Sequence, residues 1–128
     1  MGQGSIIGYE INEKTCQISF YNEKDLEPDT LEVDTDNYQI PLIIGKLRDT
    51  WAYGKEAKRL VTIKDGFTAT RLLSKSLAGD KIEFGEETYD AVWLLSQFIQ
   101  MSLQSFPEID GIVFTVPSLS EEMAQRSE

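Results

Sequence analysis

The sequence predicts an α/β fold with a mixed sheet, in which an antiparallel three-strand meander is extended by a parallel strand reached through a crossover helix. Three observations carry this. Two short apolar runs flank the polar "NEKT" near the start, a long stretch from Thr88 to Ile109 keeps helical period, and the continuous apolar run "GIVFTVP" follows it.

The elements follow in order. Residues 6–11 and 15–22 form a hairpin, the second arm alternating Cys16, Ile18 and Phe20 against Gln17, Ser19 and Tyr21. "NEKDLEPDTLEVDTDNYQ" carries seven acids in eighteen residues, which a solvated surface loop tolerates and a core does not. Its oxygen ligands lack the spacing and central glycine of an EF-hand, so a calcium loop or acidic docking segment is the lesser reading. "IPLIIGK" gives a third strand over 40–46, with proline at its entrance and Gly45 at its exit. "TWAYGKEAKRL" reads as a short strand running into a helical turn, because Tyr53-Gly54 breaks the period and "KEAKRL" favours helix. "FTATRLLSKSLAG" places Leu72, Leu73 and Leu77 at helical spacing and stops on Gly79. "KIEFGEETYD" is a short strand or turn.

The crossover helix is expected over 89–105. Val92, Leu95, Ile99 and Leu103 form its stripe, which Trp93, Leu94, Phe98 and Met101 broaden until Pro107 ends it. Residues 112–116 are rich in β-branched side chains and are expected to form a buried central strand, parallel to the first. "SLSEEMAQ" then opens a helix, with Ser118 and Glu121 spaced as a capping box. Only about two turns remain before residue 128, so the chain is expected to be the front portion of a longer protein.

Composition excludes several functions. With 12 Lys and Arg against 22 Asp and Glu, the net charge of −10 does not draw the chain to phosphate backbones or anionic lipid. Neither nucleic acid nor membrane is an expected partner. The single Cys16 cannot form an internal disulfide, no apolar run approaches the roughly 20 residues needed to span a bilayer, and "MGQGS" lacks signal-peptide character. Ile6 stands where a myristoylation pattern needs Ser or Thr. A cytoplasmic location is the expectation. With no histidine to activate it, Cys16 reads as a small buried apolar residue.

The predicted order of elements is that of one lobe of the ribonuclease-H-like fold. Four segments then resemble the actin, sugar-kinase and seventy-kilodalton heat-shock ATPase superfamily. "IIGYEINEKTCQISF" resembles its first phosphate-binding hairpin, of the form apolar-G-apolar-D-apolar-G-T-T. "IPLIIG" with "YGKEAKRL" resembles the heat-shock "TPS-strand" and "GDAAK" segments. "FTATRLL" resembles "FDAKRLIG", and "IDGIVFTVPSLSEEMAQ" resembles a strand and helix start of the form apolar-VVTVPAYFNDxQR. They occur in family order from Ile6 to Gln125. The resemblance implies a partial first lobe of an actin-like ATPase domain, with the second phosphate loop and adenosine pocket beyond residue 128.

The resemblance also assigns a phosphate site, and the residues depart from it. Glu10 stands at the aspartate that helps hold hydrated Mg2+. Asn12, an amino acid that tolerates left-handed geometry, stands at the glycine; Glu13 and Lys14 replace two phosphate-facing hydroxyls. Thr70 takes the place of the catalytic lysine, leaving Arg71 as the nearest cation. The implied module is a divergent heat-shock-like member with a degenerate phosphate site, serving as a scaffold or regulatory binding protein. ATP or ADP with Mg2+ is the cofactor that the resemblance implies for the full-length protein, and none is expected on this portion. Its expected partners are the remainder of its own domain and a protein client or regulator, and an uncovered apolar face should promote self-association. Two alternatives stand beside this reading: an active divergent ATPase completed beyond residue 128, and a ribonuclease-H-like nuclease with Glu10 as metal ligand. The plain readings also stand. Glu10 is then a hairpin-end carboxylate, Thr70 and Arg71 a helix surface, and Trp51, Tyr53 and Trp93 core or interface aromatics rather than a ligand box.

Overall fold

The computed structural model describes residues 5–22, 29–30, 38–106 and 108–116. Its elements run β1 (Ser5–Ile11), β2 (Thr15–Asn22), β3 (Asp29–Thr30), β4 (Gln39–Pro41), β5 (Ile44–Leu47), β6 (Thr50–Tyr53), α1 (Lys55–Lys58), a 3-10 turn (Arg59–Thr62), β7 (Gly66–Ala69), α2 (Leu72–Ala78), β8 (Lys81–Phe84), β9 (Glu87–Asp90), α3 (Ala91–Ser102) and β10 (Ile109–Thr115). This is a mixed α/β chain that divides into two compact units, Met1–Gln39 with Phe106–Glu128, and Ile40–Ser105.

In the first unit the strand order is β10-β1-β2-β3, and β4, which begins in this unit at Gln39, also pairs with β2. β1 and β2 are antiparallel in unbroken register from Ser5↔Asn22 to Ile11↔Cys16. β10 runs parallel to β1, from Ile6↔Gly111 to Glu10↔Thr115. Both relations match the sequence reading. Strand alternation buries Ile7, Tyr9 and Ile11 on one face, with Cys16 and Ile18 beside them on β2. Each such aliphatic side chain contributes about 1.5–3 kcal/mol of burial as an upper bound. Inside that face Cys16 Sγ donates to the Tyr9 hydroxyl at 3.7 Å. Burial pushes the thiol from an ordinary 9.0 to about 11, partly offset by that hydrogen bond.

The second unit is built on β5, which pairs antiparallel with β6 on one side and β7 on the other. β8 and β9 form a hairpin, and α3 packs on α2 and touches β5, β6 and β9. α2 stops as expected at Gly79, whose φ of 72° opens the left-handed region while the Asp80 N–H closes back on the Lys75 carbonyl at 2.9 Å.

Several expectations are corrected. The strand expected over 40–46 divides, because the Ile43 N–H bonds to the Pro41 carbonyl at 2.8 Å and turns the chain at Leu42. Ile44 onward then joins the sheet of the second unit. The helix expected over 89–105 spans only 91–102, since Glu87–Asp90 pairs with β8. Its buried stripe is Ala91, Leu94, Phe98 and Ser102, one residue ahead of the expected Val92, Leu95, Ile99 and Leu103, although Leu103 itself is buried. Val92 is 55% exposed. β10 keeps its predicted direction but is not buried: among the described residues it ends the sheet, and Val113 and Phe114 are 60% and 52% exposed. The helix expected from Ser118 and most of the acidic stretch between Asn22 and Gln39 lie outside the described residues.

Candidate functional site

The β1–β2 turn gathers four of the six residues that the resemblance assigned to a phosphate site. Alternation turns Glu10 away from buried Tyr9 and Ile11, so its carboxylate is exposed. Its neighbours in register are Gln17 on β2 and Thr115 on β10. Asn12 closes the turn. Its Oδ1 accepts from the Lys14 N–H at 3.0 Å, the Thr15 N–H at 2.8 Å and the Thr15 hydroxyl at 3.2 Å, and its own N–H donates to the Thr15 carbonyl at 2.9 Å. Asn12 makes no use of the left-handed geometry that an asparagine tolerates. Among described non-glycine residues the positive φ angles belong to Arg48, Asp65 and Arg71, so Asn12 acts through its side chain, as in an Asx turn. Glu13 is half-buried and Lys14 exposed at the tip.

Thr70 and Arg71 lie in the second unit, and the plain reading of them as helix surface is corrected. β7 stays extended through Ala69, which pairs with Ile44, and α2 begins only at Leu72. Thr70 is exposed in the joint between strand and helix. Arg71 makes the corner with φ 53° and ψ 40°, and no side-chain oxygen caps the helix there. A left-handed non-glycine residue costs about 1–2 kcal/mol.

One cluster escaped sequence reasoning. Lys46 Nζ donates to Glu87 Oε1 and to the Tyr89 hydroxyl, both at 3.1 Å, while the Tyr89 hydroxyl donates to Glu87 Oε2 at 2.8 Å. The ammonium also lies 5.1 Å from the Trp51 ring centre. Hydrogen bonding from Tyr89 and then Glu87 raises the Lys46 pKa; the bonds of Tyr89 and Lys46 lower that of Glu87. Trp51, Tyr89 and Trp93 pack ring to ring at 5.3–5.5 Å, and Tyr53 packs on Phe98. This fits the reading of these aromatics as structural. No signal of spacing could have joined Lys46 to Glu87, 41 positions away. Among the described residues no group of three or more acids or cysteines is placed to hold a metal ion, and no helix is long and apolar enough to cross a membrane.

Residues 27–126 match the profile of the Family of unknown function (DUF5716) C-terminal. The chain belongs to this family. No curated protein matches it, whereas 81 chains of solved structures do. One is a non-polymerising mutant of MamK, an actin-like ATPase, bound to AMPPNP. It is 11% identical with a TM-score of 0.57, and the match covers 98% of the DUF5716 chain and 39% of the MamK chain. At that identity the likeness shows an actin-like fold alone. The chain thus spans about two-fifths of the structure it resembles.

Proposed function

We propose that this chain is a first-lobe portion of an actin-like, ribonuclease-H-like module that acts as a scaffold or regulatory binding protein rather than as a phosphoryl-transfer catalyst. The charge of its candidate site carries the reading. Phosphoryl transfer depends on positioned cations and donors that offset the charge of the transferred group. Here the exposed ammonium of Lys14 stands against two carboxylates, exposed Glu10 and half-buried Glu13, and the position that the resemblance gives to a lysine holds the exposed hydroxyl of Thr70, with Arg71 one place along as the nearest cation. Glu10 suits the outer shell of a hydrated magnesium ion, but the hairpin around it does not suit a triphosphate. The exposed strand β10 supports a place for the remainder of the module, whose next elements would cover Val113 and Phe114.

Calorimetric titration of the chain with ATP and magnesium tests this. The expected binding is millimolar or weaker, and micromolar affinity, roughly −8 kcal/mol, sinks the reading. In the full-length protein Thr70→Lys is expected to raise nucleotide affinity or turnover, since it adds the cation without touching the hairpin. Hydrolysis by the unmodified full-length protein at rates ordinary for actin-like ATPases would put a working enzyme in the scaffold's place.

A further inference from the structure

Three donors converge on one point in the β1–β2 turn. The amides of Lys14 and Thr15 and the Thr15 hydroxyl all lie 2.8–3.2 Å from a single oxygen, Asn12 Oδ1. Neighbouring backbone N–H groups aimed at one oxygen are the arrangement by which turns and nests hold anions. In this turn the oxygen is supplied by the protein.

We infer that the Asn12 carboxamide is the built-in occupant of an anion cradle, and that it closes the hairpin to phosphate. The inference rests on the reading of this hairpin as a degenerate phosphate loop and gives that degeneracy a cause in occupancy. A phosphate oxygen reaching these donors must displace an acceptor tethered two or three residues away, which is present at high effective concentration. The carboxamide satisfies the donors without charge, while Glu13 adds a carboxylate beside them in sequence. The turn backbone does not need asparagine's tolerance of positive φ. Asn12→Gly therefore removes the acceptor while leaving the chain's path open to it.

Amide NMR of the whole chain, titrated with inorganic pyrophosphate, tests the inference. In the unmodified protein the Lys14 and Thr15 amides are expected to exchange slowly with solvent and to show no saturable shift. In Asn12→Gly both amides should shift saturably, with a midpoint at least about tenfold below the highest pyrophosphate concentration that leaves the unmodified protein unshifted. Asn12→Asp keeps an acceptor at the same point and should stay closed. Saturable shifts at both amides in the unmodified protein overturn the inference. So does a folded Asn12→Gly chain that shows none, even with Glu13→Thr added. Should Asn12→Gly lose its fold, amide exchange in the unmodified chain decides: slow exchange upholds the occupancy, and fast exchange at both amides overturns it. Micromolar ATP binding whose shifts avoid residues 12–15 would sink the scaffold reading and leave this one standing; shifts centred on Lys14 and Thr15 would sink this one.

Discussion

Gly8 and Ser19 face each other across β1 and β2 so closely that a Cβ on Gly8 would stand 2.5 Å from Ser19 Oγ. That hydroxyl donates to the Gly8 carbonyl at 3.4 Å. Gly8→Ala forces Ser19 to another rotamer and breaks this contact, at an expected cost of no more than about 1 kcal/mol, because the atom that must move is the end of a short side chain. In a Ser19→Ala background the same change should cost measurably less, because the next side-chain atom, Ser19 Cβ, lies at 3.9 Å. A double-mutant cycle in urea with no coupling between the two sites would refute the close approach.

The phase of α3 is open to a simple comparison. Leu94 and Phe98 are fully buried and Val92 is 55% exposed. Leu94→Ala should cost about 2–5 kcal/mol and Phe98→Ala about 3–5 kcal/mol, while Val92→Ala should stay within about 0.5 kcal/mol. The reverse ranking in denaturant melts would restore the stripe that the sequence predicts.

Stability should fall at alkaline pH through Cys16. Its thiol titrates near 11 in the fold against an ordinary 9.0, so the folded state holds a proton that the unfolded state has begun to lose. The stabilisation is complete below pH 9 and is lost as pH rises to about 11. Two pKa units correspond to about 2.7 kcal/mol. Cys16→Ala should flatten the unfolding free energy over this window, apart from what other groups contribute. An unchanged slope would mean that the thiol titrates normally.

Self-association should run through β10, where Gly111 to Val116 carries no charge and Val113 and Phe114 are exposed. Exposed apolar edge strands pair with other chains unless a charge interrupts them. Sedimentation at rising concentration should show association that Val113→Lys reduces. A clean monomer at high concentration would argue against an uncovered edge.

The local elements were legible because their signals are local. Two apolar runs either side of "NEKT" defined the hairpin, and period-two alternation in "TCQISFY" set apart the faces of its second arm, whereas the exposure of Glu10 on the first arm came from the structure. The β-branched run from Ile112 predicted a strand parallel to the first, and Gly79 predicted a stop. The candidate site was legible only as a list of residue types. That Asn12 would work as an acceptor followed from the fold of the turn, which set Lys14 and Thr15 within reach of one oxygen.

Tertiary structure decided the rest. Along α3 nearly every face is apolar, so the period was clear but the phase was not; the neighbours α2, β5 and β6 selected Ala91, Leu94 and Phe98. "IPLIIGK" reads as one strand until the turn at Leu42 sends Ile44 to pair with Tyr53 and Ala69. Lys46 meets Glu87 for the same reason. Sequence determines which stretches can extend or coil, because those preferences act over a few residues. Which stretches meet depends on contacts between distant positions, which only the folded chain brings together.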